Sequence, residues 1–180
     1  MFTIDNIAVL NSLLGKKLQA ISTSYGALYS DMLRADKIDI TFHFENFYMV
    51  FFCDYEQKKF FENDSGDVYY DFFIEKRKSQ PGYEHIRKFN LWIIEKIEIF
   101  SRKLEVEDFK NYTSLFNRIK SFDRTEDMFI FSFSNGKRAL MTFHPFMTGL
   151  EVIFEEFAIQ KFLKEYGGTY KLSEKLTLKD

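Results

Sequence analysis

Three histidines, His43, His85 and His144, and a lone cysteine, Cys53, are the side chains in this 180-residue chain best suited to nucleophilic or metal chemistry. Structural zinc sites draw ligands from short repeats such as Cys-x-x-Cys or His-x-x-x-His, and none of the four falls into such a spacing. A site built from His43, His144 and a carboxylate would require two separate hairpins to adjoin. A thiol nucleophile requires a base within hydrogen-bond reach. With a tight turn at Asn46, His43 would stand opposite residue 49 or 50, which leaves Cys53 too far along the return strand. Its place after Phe51 and Phe52 suits a small buried apolar residue instead. No Gly-x-Ser-x-Gly elbow occurs, and the eight glycines form neither Gly-x-Gly-x-x-Gly nor Gly-x-x-x-x-Gly-Lys-Ser/Thr. Asn63-Asp64-Ser65-Gly66-Asp67 sets carboxylates around a glycine but lacks the ligand spacing and closing Glu of a calcium loop, so it reads as a turn. The expectation is no catalytic set, no metal and no cofactor. An enzyme, such as a hydrolase using His43, His144 or Cys53, is the last of three functional readings.

Charge is more informative. The chain carries 25 Lys and Arg against 27 Asp and Glu, a net charge of −2. Residues 31–75 hold eleven acids and four bases, so this stretch is −7 while the remainder is +5. The acids after Cys53 fall on an expected loop and its flanking strands, where they can form one negative surface that steers a basic partner. The plainer reading is that they solubilise an exposed sheet edge and block edge-to-edge pairing. Basic and aromatic residues interleave at Lys76-Arg77-Lys78 and Arg87-Lys88-Phe89, but a pI near 6.0 is far from the value above about 9 that marks nucleic-acid binders.

The elements that must position these residues follow from apolar period. Thr3–Gly15 reads as a helix with Ile4, Ile7, Leu10 and Leu14 on one face and Gly15 as its stop. Lys17–Ile21 reads as a strand. Tyr25, Leu28, Tyr29, Met32 and Leu33 have helical spacing. From Ile38 the period becomes two, with Ile40, Phe42 and Phe44 on one face and Asp39, Thr41 and His43 on the other, at a surface or a second layer. Glu45-Asn46 is the turn, Phe47–Cys53 the return strand, and Val68–Glu75 a further strand. After a break at Ser79–Gly82, Leu91–Leu104 favours strand for its β-branched and aromatic residues. Phe109–Phe122 shows a helical stripe, Met128–Phe133 and Arg138–Phe143 flank a hairpin turn at Asn135-Gly136, and Leu150–Phe154 is a strand. Phe157, Phe162, Leu163 and Tyr166 belong to a last helix stopped by Gly167-Gly168.

The expected fold is α+β: a mainly antiparallel sheet of about seven or eight strands with three or four packed helices. The length suits one domain over residues 1–180. A similar order of strand, helix and hairpin in residues 1–80 and 81–180 raises an internal duplication. Aromatic residues make up 19 % of the chain, 23 of them Phe. They suit a dense core, a ligand cavity between sheet and helix, or exposed anchors such as Tyr69, Phe73 and Phe146. One cysteine excludes an internal disulfide; with no secretory leader and no apolar stretch of about 20 residues, a cytoplasmic protein is expected.

In its size, mild acidity, concentrated acids from Asp54 to Glu75 and lack of a catalytic cluster, the chain resembles the cytoplasmic immunity proteins of bacterial contact-dependent growth inhibition and other polymorphic-toxin systems. The resemblance implies a non-enzymatic protein that binds a cognate toxin domain, often a basic nuclease, and occludes its active site. Asp54, Glu56, Glu62, Asp64, Asp67 and Asp71 would form the partner-binding surface, without direct contact to nucleic acid or membrane. The alternative is a carrier of a small apolar ligand in a Phe-lined cavity.

Overall fold

The computed structural model describes residues 4–24, 26–35, 39–58, 67–103, 125–143, 150–170 and 174–179. A helix at Ile4–Asn11 (α1) leads into strands at Lys17–Thr23 (β1), Gly26–Leu28 (β2), Met32–Ala35 (β3), Asp39–His43 (β4), Tyr48–Lys58 (β5) and Asp67–Arg77 (β6). The second half supplies His85–Lys103 (β7), Thr125–Phe133 (β8), Arg138–Phe143 (β9), Leu150–Ile153 (β10), a helix at Glu156–Tyr170 (α2) and Glu174–Lys179 (β11). The strands form one eleven-stranded sheet in the order β2-β3-β10-β9-β8-β7-β1-β4-β5-β6, with β11 paired to β7, and every pairing is antiparallel.

This corrects the α+β expectation of seven or eight strands with three or four helices: the protein is mostly β, and the described residues hold two helices. The apolar spacing of Leu28, Tyr29, Met32 and Leu33 fits a helix, but residues 26–35 form the hairpin of β2 and β3, closed by a Tyr29 N–H to Met32 carbonyl bond of 2.8 Å; Tyr25 lies outside the described residues. Spacings of three and four arise equally when a tight turn joins two very short strands. β11 occupies a C-terminal stretch where no strand was expected. α2 runs through Gly167 and Gly168 to Tyr170, although a helix-interior glycine costs about 1 kcal/mol. The helix expected over Phe109–Phe122 lies outside the described residues, as does the turn at residues 63–66.

β7 is nineteen residues long and organises the sheet. Its first half pairs with β1; its second half pairs with β8 on one edge and β11 on the other. Between Leu18↔Trp92 and Ala20↔Lys88 the register skips, and Leu91 sits there with φ 58° and its side chain 60 % exposed. A left-handed non-glycine residue costs about 1–2 kcal/mol, and a bulge of this kind bends the strand it interrupts. The sheet accordingly folds over on itself. Phe42 of β4 touches Phe51 of β5 at 4.8 Å and, across the interior, Phe131 of β8 at 5.1 Å; Phe51 also meets Phe129 at 6.4 Å. All four rings are fully buried. Leu10 and Leu13 at the end of α1 join the same core, with Val9 and Leu14 packed against it.

The outer faces of the two layers are covered differently. Over β8, β9 and β10, α2 lays Ile159, Phe162 and Leu163 on Met128, Ile130, Leu140 and Ile153, with Arg138 paired to Glu156 at the helix start. Phe157, in the first turn of α2, is 83 % exposed. Over β1 and β4 the cover is polar, with Ser22, Asp39, Thr41 and His43 all buried. Phe131→Ala is expected to cost about 3–5 kcal/mol of stability, since it opens a cavity where the layers meet. Leu91→Gly, which relieves the left-handed backbone at an exposed site, should stay within about 1 kcal/mol of the parent. Urea unfolding of both variants measures the contrast.

Candidate functional site

On β4 the period of two sends Ile40 and Phe42 into the apolar core and Asp39, Thr41 and His43 to the opposite side. The sequence alternation predicts that division. The neighbouring strand it does not predict: β4 pairs with β1, which sets Ser22 opposite Thr41 and Ala20 opposite His43. Ser22 Oγ and His43 Nε2 are then 2.6 Å apart, a bond that either imidazole tautomer satisfies because a hydroxyl both donates and accepts. The ring lies edge-on to Tyr48 at 5.2 Å and to Tyr83 at 5.8 Å. Ser24 Oγ donates to Asp39 Oδ1, and Thr41 Oγ1 donates to Asp39 Oδ2 at 3.3 Å. Burial lowers the His43 pKa from its ordinary 6.5, because desolvation disfavours the charged ring.

Serine, histidine and aspartate on one sheet face invite comparison with a hydrolytic triad, and the geometry argues against it. A triad requires an accessible serine and an acid that orients the histidine. Ser22 is 2 % exposed, and the Asp39 carboxyl is engaged by Ser24 and Thr41. The group is a satisfied buried polar layer, of the kind that specifies one packing when every member is bonded.

Beside this layer the chain leaves β6 and turns back over the sheet through residues 78–84. The Glu84 N–H donates to the Thr23 carbonyl at 3.0 Å, which holds the segment down. A recess of about 550 Å³ opens there, lined by Ser24, Asp39, Val50, Phe52, Arg77 and the 81–84 segment. Asp39, 7 % exposed, lies at its base, while Tyr83, 41 % exposed, forms a wall. Phe52 stacks on Phe73 at 5.3 Å. Arg77 donates to Glu75 from Nε at 2.9 Å and from Nη2 at 2.6 Å. That hydrogen bond raises the arginine pKa and lowers that of Glu75.

The acids expected to bind a partner lie beyond this recess on the same strand pair. Asp54 is registered opposite Asp71, Glu56 opposite Tyr69, and Asp67 opposite Lys58. The two-residue period puts these positions on the face of Val50, Phe52, Phe73 and Arg77. Glu62 and Asp64 lie outside the described residues. The β4–β5 ladder pairs His43 with Tyr48, not residue 49 or 50, and runs as far as Asp39↔Phe52. Cys53 is five positions past Tyr48, roughly 17 Å along the strand, so the Cys53–His43 dyad does not form. His144 lies outside the described residues, and His85 begins β7 opposite Thr23. Among the described residues no three His, Cys, Asp or Glu side chains converge to hold a metal ion, and no helix is long and apolar enough to cross a membrane.

Ser22, Ser24, Asp39, Arg77, Tyr83 and Glu84 carry no sequence motif. Asp39 had a signal in its alternation with Ile40 and Phe42, and Arg77 one in the basic run Lys76-Arg77-Lys78. No family model, no curated protein and no solved structure matches the chain.

Ser22→Ala is expected to destabilise the protein by about 1–3 kcal/mol, because it strips a buried ring nitrogen of its partner; thermal or urea unfolding measures this. The lowered His43 pKa has a defined pH sign. Below about pH 6.5 the unfolded chain binds a proton at this residue that the folded chain resists. Its contribution to stability is therefore complete above that pH and declines as pH falls towards the folded-state pKa. Unfolding at about pH 7.5 and 5.5 should show a smaller loss for His43→Gln than for the parent.

Proposed function

We propose that this protein is a non-catalytic binding module that holds a basic protein partner against the outer face of β4, β5 and β6. Asp54 and Asp71 occupy directly opposed positions, flanked on the same face by Glu56 and Asp67, and this carries the reading. Like charges opposite one another across a ladder disfavour pairing, and a cationic partner relieves that repulsion. The half-exposed Phe73, stacked on Phe52 and bordering these positions, supplies an apolar anchor of the kind that dominates binding energy. The reading agrees with the resemblance to toxin-neutralising immunity proteins, in which the partner would be a basic toxin domain. The burial of Ser22 and the hydrogen bonds that Asp39 makes with Ser24 and Thr41, not with His43, favour binding over hydrolysis.

Co-expression with the protein encoded next to this one, followed by affinity capture at low and high salt, tests it. The expected result is a stoichiometric complex that weakens with salt. The double variant Asp67→Lys, Asp71→Lys should slow association about tenfold or more at low salt and leave the melting curve near that of the parent. Salt-independent capture with unchanged association would overturn the acidic face as the docking surface.

A further inference from the structure

The recess beside Asp39 has a chemistry more selective than general acidity. The geometry points to a socket for one arginine side chain of the basic partner, with Asp39 at its base, Glu84 at its rim, and Phe52 and Tyr83 as aromatic walls. This rests on the docking reading above and names the contact that would anchor it. The charged residues lining the recess are Asp39, Glu84 and Arg77. Arg77 directs its Nε and Nη2 to Glu75 and also lies in the field of Asp39. Each Asp39 oxygen accepts one hydrogen bond, from Ser24 or Thr41, and keeps a second lone pair, so what the recess offers a guest is that remaining capacity and the Glu84 carboxylate. The Arg77 guanidinium lies 5.9 Å from the centre of the Phe52 ring, within the roughly 6 Å at which a cation is attracted to an aromatic face. The volume, about 550 Å³, falls within the roughly 300–1,000 Å³ typical of ligand sites. A planar guanidinium fits better than an ammonium, since it stacks on rings and forks onto a carboxylate.

The probe is N-acetyl-arginine amide, followed by the backbone amide shifts of Gly82, Tyr83 and Glu84 in an NMR titration. N-acetyl-citrulline amide, the neutral isostere, is the control. Saturable shifts with arginine and none with citrulline are expected. Asp39→Asn should weaken binding about tenfold, as loss of one charge-assisted bond does. Because Asp39 also holds Ser24 and Thr41, the exposed-site variants Glu84→Gln and Tyr83→Ala provide a second arm, each expected to weaken binding at least about twofold. Equal shifts with citrulline, or no saturable response to arginine, would overturn the socket. If the salt-sensitive complex forms with undiminished affinity in Tyr83→Ala and Glu84→Gln, the socket is not the partner's anchor while the docking face stands. Arginine binding without capture of the neighbouring protein overturns the docking reading instead.

Discussion

Ile94 exchanges two backbone hydrogen bonds with the turn that ends α1: the Gly15 N–H donates to its carbonyl at 2.8 Å, and its own N–H donates to the Lys16 carbonyl at 3.0 Å. This is where β7 changes partners. Before it the strand pairs with β1; after it β8 and β11 take its two edges. Gly15 can make the contact because, at φ 70°, it reverses the chain in the turn between α1 and β1. Next to the junction, the Ser134 N–H bonds the Ile93 carbonyl at 2.9 Å and brings the β8–β9 turn to the same spot. The helix end, the central strand and the second-half hairpin are thus fastened within a few residues. The bend at Leu91 beside them folds one continuous sheet into two facing layers.

That folding makes the Phe excess intelligible. Closing one sheet on itself requires large apolar side chains to span the gap between layers, which is roughly 10 Å from backbone to backbone. Phe42, Phe51, Phe129 and Phe131 fill it with ring contacts of 4.8–6.4 Å. The hairpin of β4 and β5 and the hairpin of β8 and β9, which look alike in sequence, are the two elements that meet there. Their outer faces then diverge: one receives α2, and the other buries a hydrogen-bonded polar layer and keeps a recess open beside it. The acidic positions share that second face, so the candidate site belongs to the layer without a helical cover.

Local sequence patterns identified several elements well. The alternation from Ile38 to Glu45 predicts β4 and the two sides of it, and Asn135-Gly136, with Gly136 at φ 75°, forms the hairpin turn it promises. The choice of strand for Leu91–Leu104 agrees with β7, although β7 starts at His85 and runs through a bulge that interrupts any simple period. The helical reading of residues 28–33 failed because β2 and β3 have three and four residues, too few for a period of two to show. β11 was invisible for a related reason: Lys175, Leu176, Thr177 and Leu178 acquire a strand's partners only when β7 presents its free edge.

The order of residues by itself determined the charge imbalance, the aromatic excess and the side of β4 on which Asp39, Thr41 and His43 fall, since all three depend on composition or on near neighbours. Tertiary structure decided what those polar residues touch. Ser22 reaches His43 across twenty-one positions of chain, and Ser24 reaches Asp39 across fifteen. Both meetings follow from β4 pairing with β1, a non-adjacent strand, in preference to β3. The pairing of distant strands depends on the loop-closure cost and the layer contacts of the whole chain, and no local run of residues encodes it. The recess has the same origin: its base, its walls and its rim come from β4, β5, β6 and the 81–84 segment, which only the folded sheet brings together.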